Sequence, residues 1–148
     1  MDYKWENAGI ETHVLGEEEY VVIESGTKLK SRNNIYLDND PDDRVTADFF
    51  RKQKHKPNYK RSYMDDAYGI IDGVALGFGR AVMSKHLVDK QAPIRIVSGF
   101  VSWKVDVVLH YYALPFYPKL HQVVVSTLCA ECPKILTRVG MPVSVRVN

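Results

Sequence analysis

Apolar positions along the chain change their period several times, and each change marks an element. The stretch "HVLGEEEYVVIE" (13–24) ends in a compact β-branched run, which predicts a strand from about Glu19. "SGTKLKSRN" is polar and contains glycine, so it reads as a connection. "NIYLDN" is a short strand. In "DPDDRVTADFFRKQKH", Asp40 suits an N-cap, Pro41 a first helical residue, and Asp42 and Asp43 the positive end of the helix dipole. Val45 and Phe49 lie four apart, and Arg51, Lys52 and Lys54 suit the other end, so a helix of about three turns is expected.

"PNYKRSYM" is extended. In "DDAYGIIDGVALGFG" the residues Ala67, Ile70, Ile71, Val74, Ala75 and Phe78 share one helical face, and Gly77 and Gly79 supply a stop. "RAVMS" is short and apolar, followed by polar "KHLVDKQA". "PIRIVS" and "KVDVVLHYY" read as strands, and Val107, Val108 and Leu109 suggest burial on both faces of the second. From Pro118, the residues Leu120, Val123, Val124, Thr127, Leu128 and Glu131 fit a last amphipathic helix. The tail 133–148 starts with a helix breaker and reads as a strand or a loose end. Extended and helical segments mostly alternate, which points to an α/β fold with a mostly parallel sheet and flanking helices. Composition leaves that picture in place. The chain has 148 residues, 45% hydrophobic and 26% charged, enough for one domain or two small lobes.

The order and spacing of these pieces resemble the effector-binding domain of LysR-type transcriptional regulators. The resemblance is carried by "YLDNDPDDRVTADFF", "YMDDAYGIIDGVALGFGRAVMSKHLV", "PIRIV" and "VVLHYY…PKLHQVVVSTL", with "GIETHVLGEEEYVVIES" similar to the family's crossing strand. The most specific piece is the turn made by Gly77, Gly79, Ala81 and Ser84. Coverage is about residues 9–132. The resemblance implies a periplasmic-binding-protein-like (type 2) fold of two lobes around a cleft for a small-molecule effector. It divides the chain into a crossover segment with part of lobe I (1–24), lobe II (25–98), the return strand and helix of lobe I (99–132), and a tail of unknown structure (133–148). The family's winged helix-turn-helix and about half of its first lobe have no counterpart here, so a truncated domain is expected. DNA would be reached only through a winged helix-turn-helix absent from this chain. A homodimer or higher oligomer is implied by the family.

The family places effector contacts in the loop after the lobe II strand and at the next helix start. Those positions are Asp38, Asn39 and Asp40, and Met64, Asp65 and Asp66. Ligands of open α/β sheets bind at the carboxyl ends of strands. Carboxylates there would repel an anion, so a neutral or cationic effector is expected. "YMDD" (63–66) also has the letters of a polymerase metal site. Such a site needs a hairpin tip and a further carboxylate, whereas the residues after this pair have helical period. A helix cap is the alternative reading of Asp65 and Asp66.

Charge adds little: the net charge is +2, although residues 1–25 hold seven acidic residues against one basic. The basic run "RKQKHKPNYKR" (51–61) could meet phosphate but reads more simply as a solvated helix end. "CAEC" (129–132) has no further ligands at zinc spacing and sits at the end of a helix rather than its start. The aromatic run "HYYALPFY" (110–117) suggests core and turn, or a cleft wall. The five histidines form no nucleophile–base–acid set, so no enzyme, no catalytic residue, no metal and no cofactor is expected. Metal-dependent catalysis by Asp65 and Asp66 is the enzymatic alternative, and a non-functional or purely dimerising remnant another. No run of 18 apolar residues and no signal peptide are present, and a cytoplasmic location without membrane partners is the default.

Overall fold

A computed structural model describes residues 9–27, 32–88 and 93–136. Expectations for 1–8, part of the 25–33 connection, 89–92 and the tail from 137 lie outside the described residues. The elements are β1 (Ile10–Ser25), β2 (Ile35–Asp38), α1 (Val45–Arg51), β3 (Lys60–Tyr63), α2 (Ala67–Ala75), β4 (Ala81–Ser84), α3 (Lys85–Val88), β5 (Ile94–Ile96), β6 (Trp103–Tyr112) and α4 (Lys119–Ile135). They form two compact units: one spans Glu19–Lys104, the other runs up to Glu18 and resumes at Val105. β1 belongs to both.

In the 19–104 unit, alternation along the strands sorts side chains to two faces. Val21 and Ile23 of β1, Leu37 of β2, and Ala81 and Met83 of β4 pack with Ile70, Ile71 and Val74 of α2. Their neighbours Val22, Tyr36 and Val82 pack with Phe49 and Phe50 of α1. The sheet therefore lies between two helical layers, which is why β4 is buried along its whole length. Each fully buried aliphatic or aromatic side chain contributes roughly 1.5–3 kcal/mol.

The α/β class expected from the alternation is what the chain adopts. Its sheet is mixed rather than mostly parallel. β2 and β3 pair in parallel, but β1 runs antiparallel to β4 and β5. Reciprocal bonds, Leu37 N–H to Arg80 O and Arg80 N–H to Ile35 O, both 2.8 Å, join the β2 edge to the start of β4. Close approach here requires Gly79: a Cβ would sit 2.7 Å from the Ile35 carbonyl oxygen.

α2 ends as its glycines suggest. Gly77 has φ +78°, and the N–H groups of Gly77 and Phe78 bond to the carbonyls of Val74 and Gly73, a Schellman closure. Phe78 lies beyond the helix and is exposed, not on its apolar face.

Four expectations are corrected. β1 starts at Ile10 rather than near Glu19, because pairing with β6 extends it through the glutamates. α1 starts at Val45 with Arg44 as N-cap, so Asp40 and Pro41 lie outside it. Asp40 instead accepts from the Asp42 and Asp43 N–H groups (2.8 and 3.0 Å), and Asp43 from Val45 (2.9 Å). Aspartates offering the backbone local bonds hold it in turns. α4 passes through Pro133 to Ile135, since a proline in the last turn forfeits one bond and the Leu136 N–H still reaches Cys132 O. β6 has no buried residue, against the expectation for Val107–Leu109. The short helix α3 was not signalled by the polar stretch that contains it.

The second unit is held differently. Glu11 accepts hydrogen bonds from the hydroxyls of Tyr111 (2.9 Å) and Tyr117. The same Tyr111 hydroxyl, which donates to Glu11, lies 2.7 Å from His13 Nε2. His121 packs against both tyrosines. Burial and the Glu11 carboxylate push Tyr111 up to about 12. Among the described residues of this unit, Leu15 is the one buried hydrophobic side chain.

Candidate functional site

The two stretches singled out in the sequence meet. Parallel pairing aligns Asp38 with Tyr63 at the carboxyl ends of β2 and β3. The ladder then continues past both strands: Met64 N–H donates to Asp38 O (3.0 Å) and Asp65 N–H to Asn39 O (2.9 Å). Asp38–Asp40 and Met64–Asp66 are therefore one continuous edge, at the place where open α/β sheets present ligand sites.

Each residue has a distinct setting. The Asp38 side chain is 2% exposed, and its two oxygens accept from the Thr46 hydroxyl and from Arg61 Nε. Burial raises its pKa, against the pull of Thr46 and Arg61. Arg61 also donates to the carbonyls of Pro41 (3.2 Å), Asp40 (3.3 Å) and Asp43, and its guanidinium lies 5.2 Å from the Tyr63 ring centroid. One arginine thus ties the 38–43 loop to β3. Asn39 donates from its side chain to Asp40 (2.8 Å) and from its backbone to Asp43 (3.2 Å). The Asn39 bond first, then the Asp42 N–H, holds the Asp40 carboxyl below its ordinary range.

Asp66 is the N-cap of α2, with its carboxylate accepting from Gly69 N–H at 2.8 Å. Asp65 stands at φ +62°, the left-handed region that few non-glycine residues occupy and that aspartate tolerates better than most. Both side chains are exposed. Met64 is half-buried against the α2 core cluster. The edge is therefore acidic: several of its backbone groups are bonded internally, and the exposed side chains of Asp65 and Asp66 present carboxylate oxygen outward.

Other sequence candidates disperse. In the basic run, Arg51 pairs with Asp48, Lys52 lies 5.8 Å over the Trp103 ring, and Arg61 is the loop clamp. Cys129 and Cys132 are free thiols inside α4. Among the described residues, no three His, Cys, Asp or Glu side chains are grouped as metal ligands. In the aromatic run, Tyr111 and Tyr117 bind Glu11, while Tyr112 and Phe116 are exposed.

Two constellations were not read from the sequence. One is the Thr46–Asp38–Arg61 clamp. The other is Glu24, whose two oxygens accept paired bonds from Arg80 (2.9 and 2.7 Å) and Arg95 (2.9 and 2.7 Å). Burial would raise the Glu24 pKa, but the two guanidinium groups outweigh it and hold it below the ordinary range.

No protein-family model matches the sequence, and no curated protein does. Solved structures do. The chain is similar to full-length LysG, an LTTR from Corynebacterium glutamicum with its effector arginine bound (TM-score 0.65, 14% identity, 88% of this chain and 48% of that one). It is similar to ArgP from Mycobacterium tuberculosis (0.67, 16%, 88% and 49%). It is also similar to the regulatory domain of HypT from Salmonella typhimurium with bromide bound (0.70, 8%, 90% and 70%). The chain spans about half the length of LysG and ArgP. The fold is that of the LysR-type effector-binding, periplasmic-binding-protein-like domains.

Proposed function

We propose that this chain is an effector-sensing regulatory domain of the LysR type, and that its effector is a neutral or cationic small molecule. Support comes from the shared fold and, above all, from the continuous edge that Asp38–Asp40 and Met64–Asp66 form at the carboxyl ends of β2 and β3. Asp65 and Asp66 would face the effector, and Asp40, kept ionised, would add to their field. Asp38 would hold the loop through Arg61 rather than touch ligand, and Met64 would give the edge an apolar floor. LysG carries arginine on the same fold, so a cation is compatible with it.

Binding would shift an existing conformational equilibrium. A winged helix-turn-helix outside these residues would pass that shift to DNA in an oligomer. The domain would act in the cytoplasm and without catalysis; no helix among the described residues is long and apolar enough to cross a membrane.

Calorimetric titration with arginine and putrescine, beside acetate and shikimate, tests the reading. The expected result is heat and a raised Tm with a cation, weakened when Asp65→Asn and Asp40→Asn are combined. Tight binding of a small carboxylate without a cationic group, unaffected by those substitutions, would sink it.

A further inference from the structure

The acidic edge leaves the two thiols of α4 unused. Cys129 and Cys132 are free and half-buried, one turn apart in a helix that runs from Lys119 to Ile135. Helical side chains lean back over the preceding turn, so Cys132 is directed onto the turn that carries Cys129. Residues three apart on a helix hold their Cβ atoms about 5–6 Å apart. A disulfide wants about 3.5–4.5 Å and would break the turn. An ion bridging two thiolates, with a bond of about 2.3 Å to each, suits the spacing. Pro133 has no N–H for the Cys129 carbonyl, so this turn has one backbone bond fewer and can adjust the distance between the sulfurs. The pair is also held from outside the helix. Cys129 lies close enough to Tyr111 for its charge to act on the phenol, and His121 packs on the same ring at 4.7 Å. Beyond Cys132, Leu136 donates its N–H to the Cys132 carbonyl (3.0 Å) and packs so closely on β1 that a Cβ at Gly16 would sit 2.8 Å from its Cδ1.

Ligand count and charge decide what such a pair accepts. Among the described residues no third His, Cys, Asp or Glu joins it. Tetrahedral zinc is thereby excluded, and a soft cation satisfied by two thiolates is left. The last turn of a helix is its negative end, and the basic residue there, Lys134, is taken up by Glu131 at 2.6 Å. A monovalent ion on two thiolates would leave an anion at that end. A divalent ion leaves a neutral complex, which a half-buried surface tolerates better. We propose that Cys129 and Cys132 form a chelating site for a soft divalent cation of linear coordination, with mercuric ion as its type. The two thiols release their protons to solvent, two sulfur–metal bonds form, the ion's two labile ligands leave, and no oxidation state changes. The inference does not rest on the effector reading: α4 and residues 38–40 and 64–66 belong to different units.

Titration of the reduced 148-residue chain with mercuric chloride in excess glutathione, followed by filtration and metal analysis, tests it. One ion per chain should be retained, because two linked thiols outcompete a single one by about 10²–10⁴-fold. Cys129→Ser and Cys132→Ser should each lower the affinity by about 10²-fold or more. Zinc and Cu(I) offered in the same way should pass through. Circular dichroism checks that α4 is retained; where a serine loses it, alanine takes its place. No ion retained, two ions per chain, single variants that hold mercury as well as the native chain, or zinc or Cu(I) retained instead would each overturn the proposal.

Discussion

The Asp38 carboxylate is turned inward, and Arg61 is the side chain that makes this tolerable. Removing one partner of a buried pair leaves the other charge without compensation and costs about 3–5 kcal/mol. Arg61→Met is expected to destabilise the chain by that order, measured as a fall in the urea midpoint at unchanged slope. Arg61→Lys should recover only part, because an ammonium cannot reach Asp38 and three loop carbonyls at once. A loss under about 1 kcal/mol for Arg61→Met would mean the clamp is loose. Nothing near Arg61 in the sequence distinguished it from the other basic residues of 51–61. Its role comes from strand register, which places it beside Tyr36 with its guanidinium against the Asp38 carboxylate.

At the scale of the element, α2 has both ends defined by its own residues, and two adjacent aspartates divide the work at its start. Asp66 caps and Asp65 turns the chain. Asp66→Ala should therefore cost about 1 kcal/mol, the usual loss of an N-cap. Asp65→Asn should cost little, since asparagine also accepts the left-handed region. Thermal unfolding of the two variants side by side separates the roles; equal losses would contradict the assignment. α2 was legible because period, cap and glycine stop all agreed. α1 was not, because Asp40, Asp42 and Asp43 look like cap and dipole residues in either a helix start or a turn. α4 was legible as a helix but not in which face is half-buried. Leu120, Val123 and Val124 are the more apolar to read yet stand exposed, while the half-buried face carries His121, Cys129 and Cys132.

For the whole molecule, acid is the informative perturbation. The folded pKa of Glu24 lies below its ordinary value of 4.5, so its pairing with Arg80 and Arg95 stabilises fully above that value. The contribution is lost as pH falls through the lower folded pKa. Asp38 has the opposite sign: its raised pKa means that protonation relieves a cost as pH falls. Denaturation midpoints from pH 7 to pH 3 for the native chain and Glu24→Gln isolate the first effect. The native chain should be more stable at neutral pH, and the gap should narrow below about pH 4.5; a constant gap would show that Glu24 does not titrate with folding.

The Glu24 cluster was invisible in the sequence because its partners lie 56 and 71 residues away. The α/β layering and the two acidic stretches were visible, because each is local. That the stretches form one edge needed the parallel register. β1 carries a last consequence. Its sixteen residues belong to both units, from an N-terminal half with Leu15 as its one buried residue to a C-terminal half buried from Val21 to Ser25. A single strand is thus a graded ruler of local opening. Amide protons near Ile10 should exchange early and those near Ile23 only with global unfolding, so the boundary between the two foldons can be read along one strand, amide by amide.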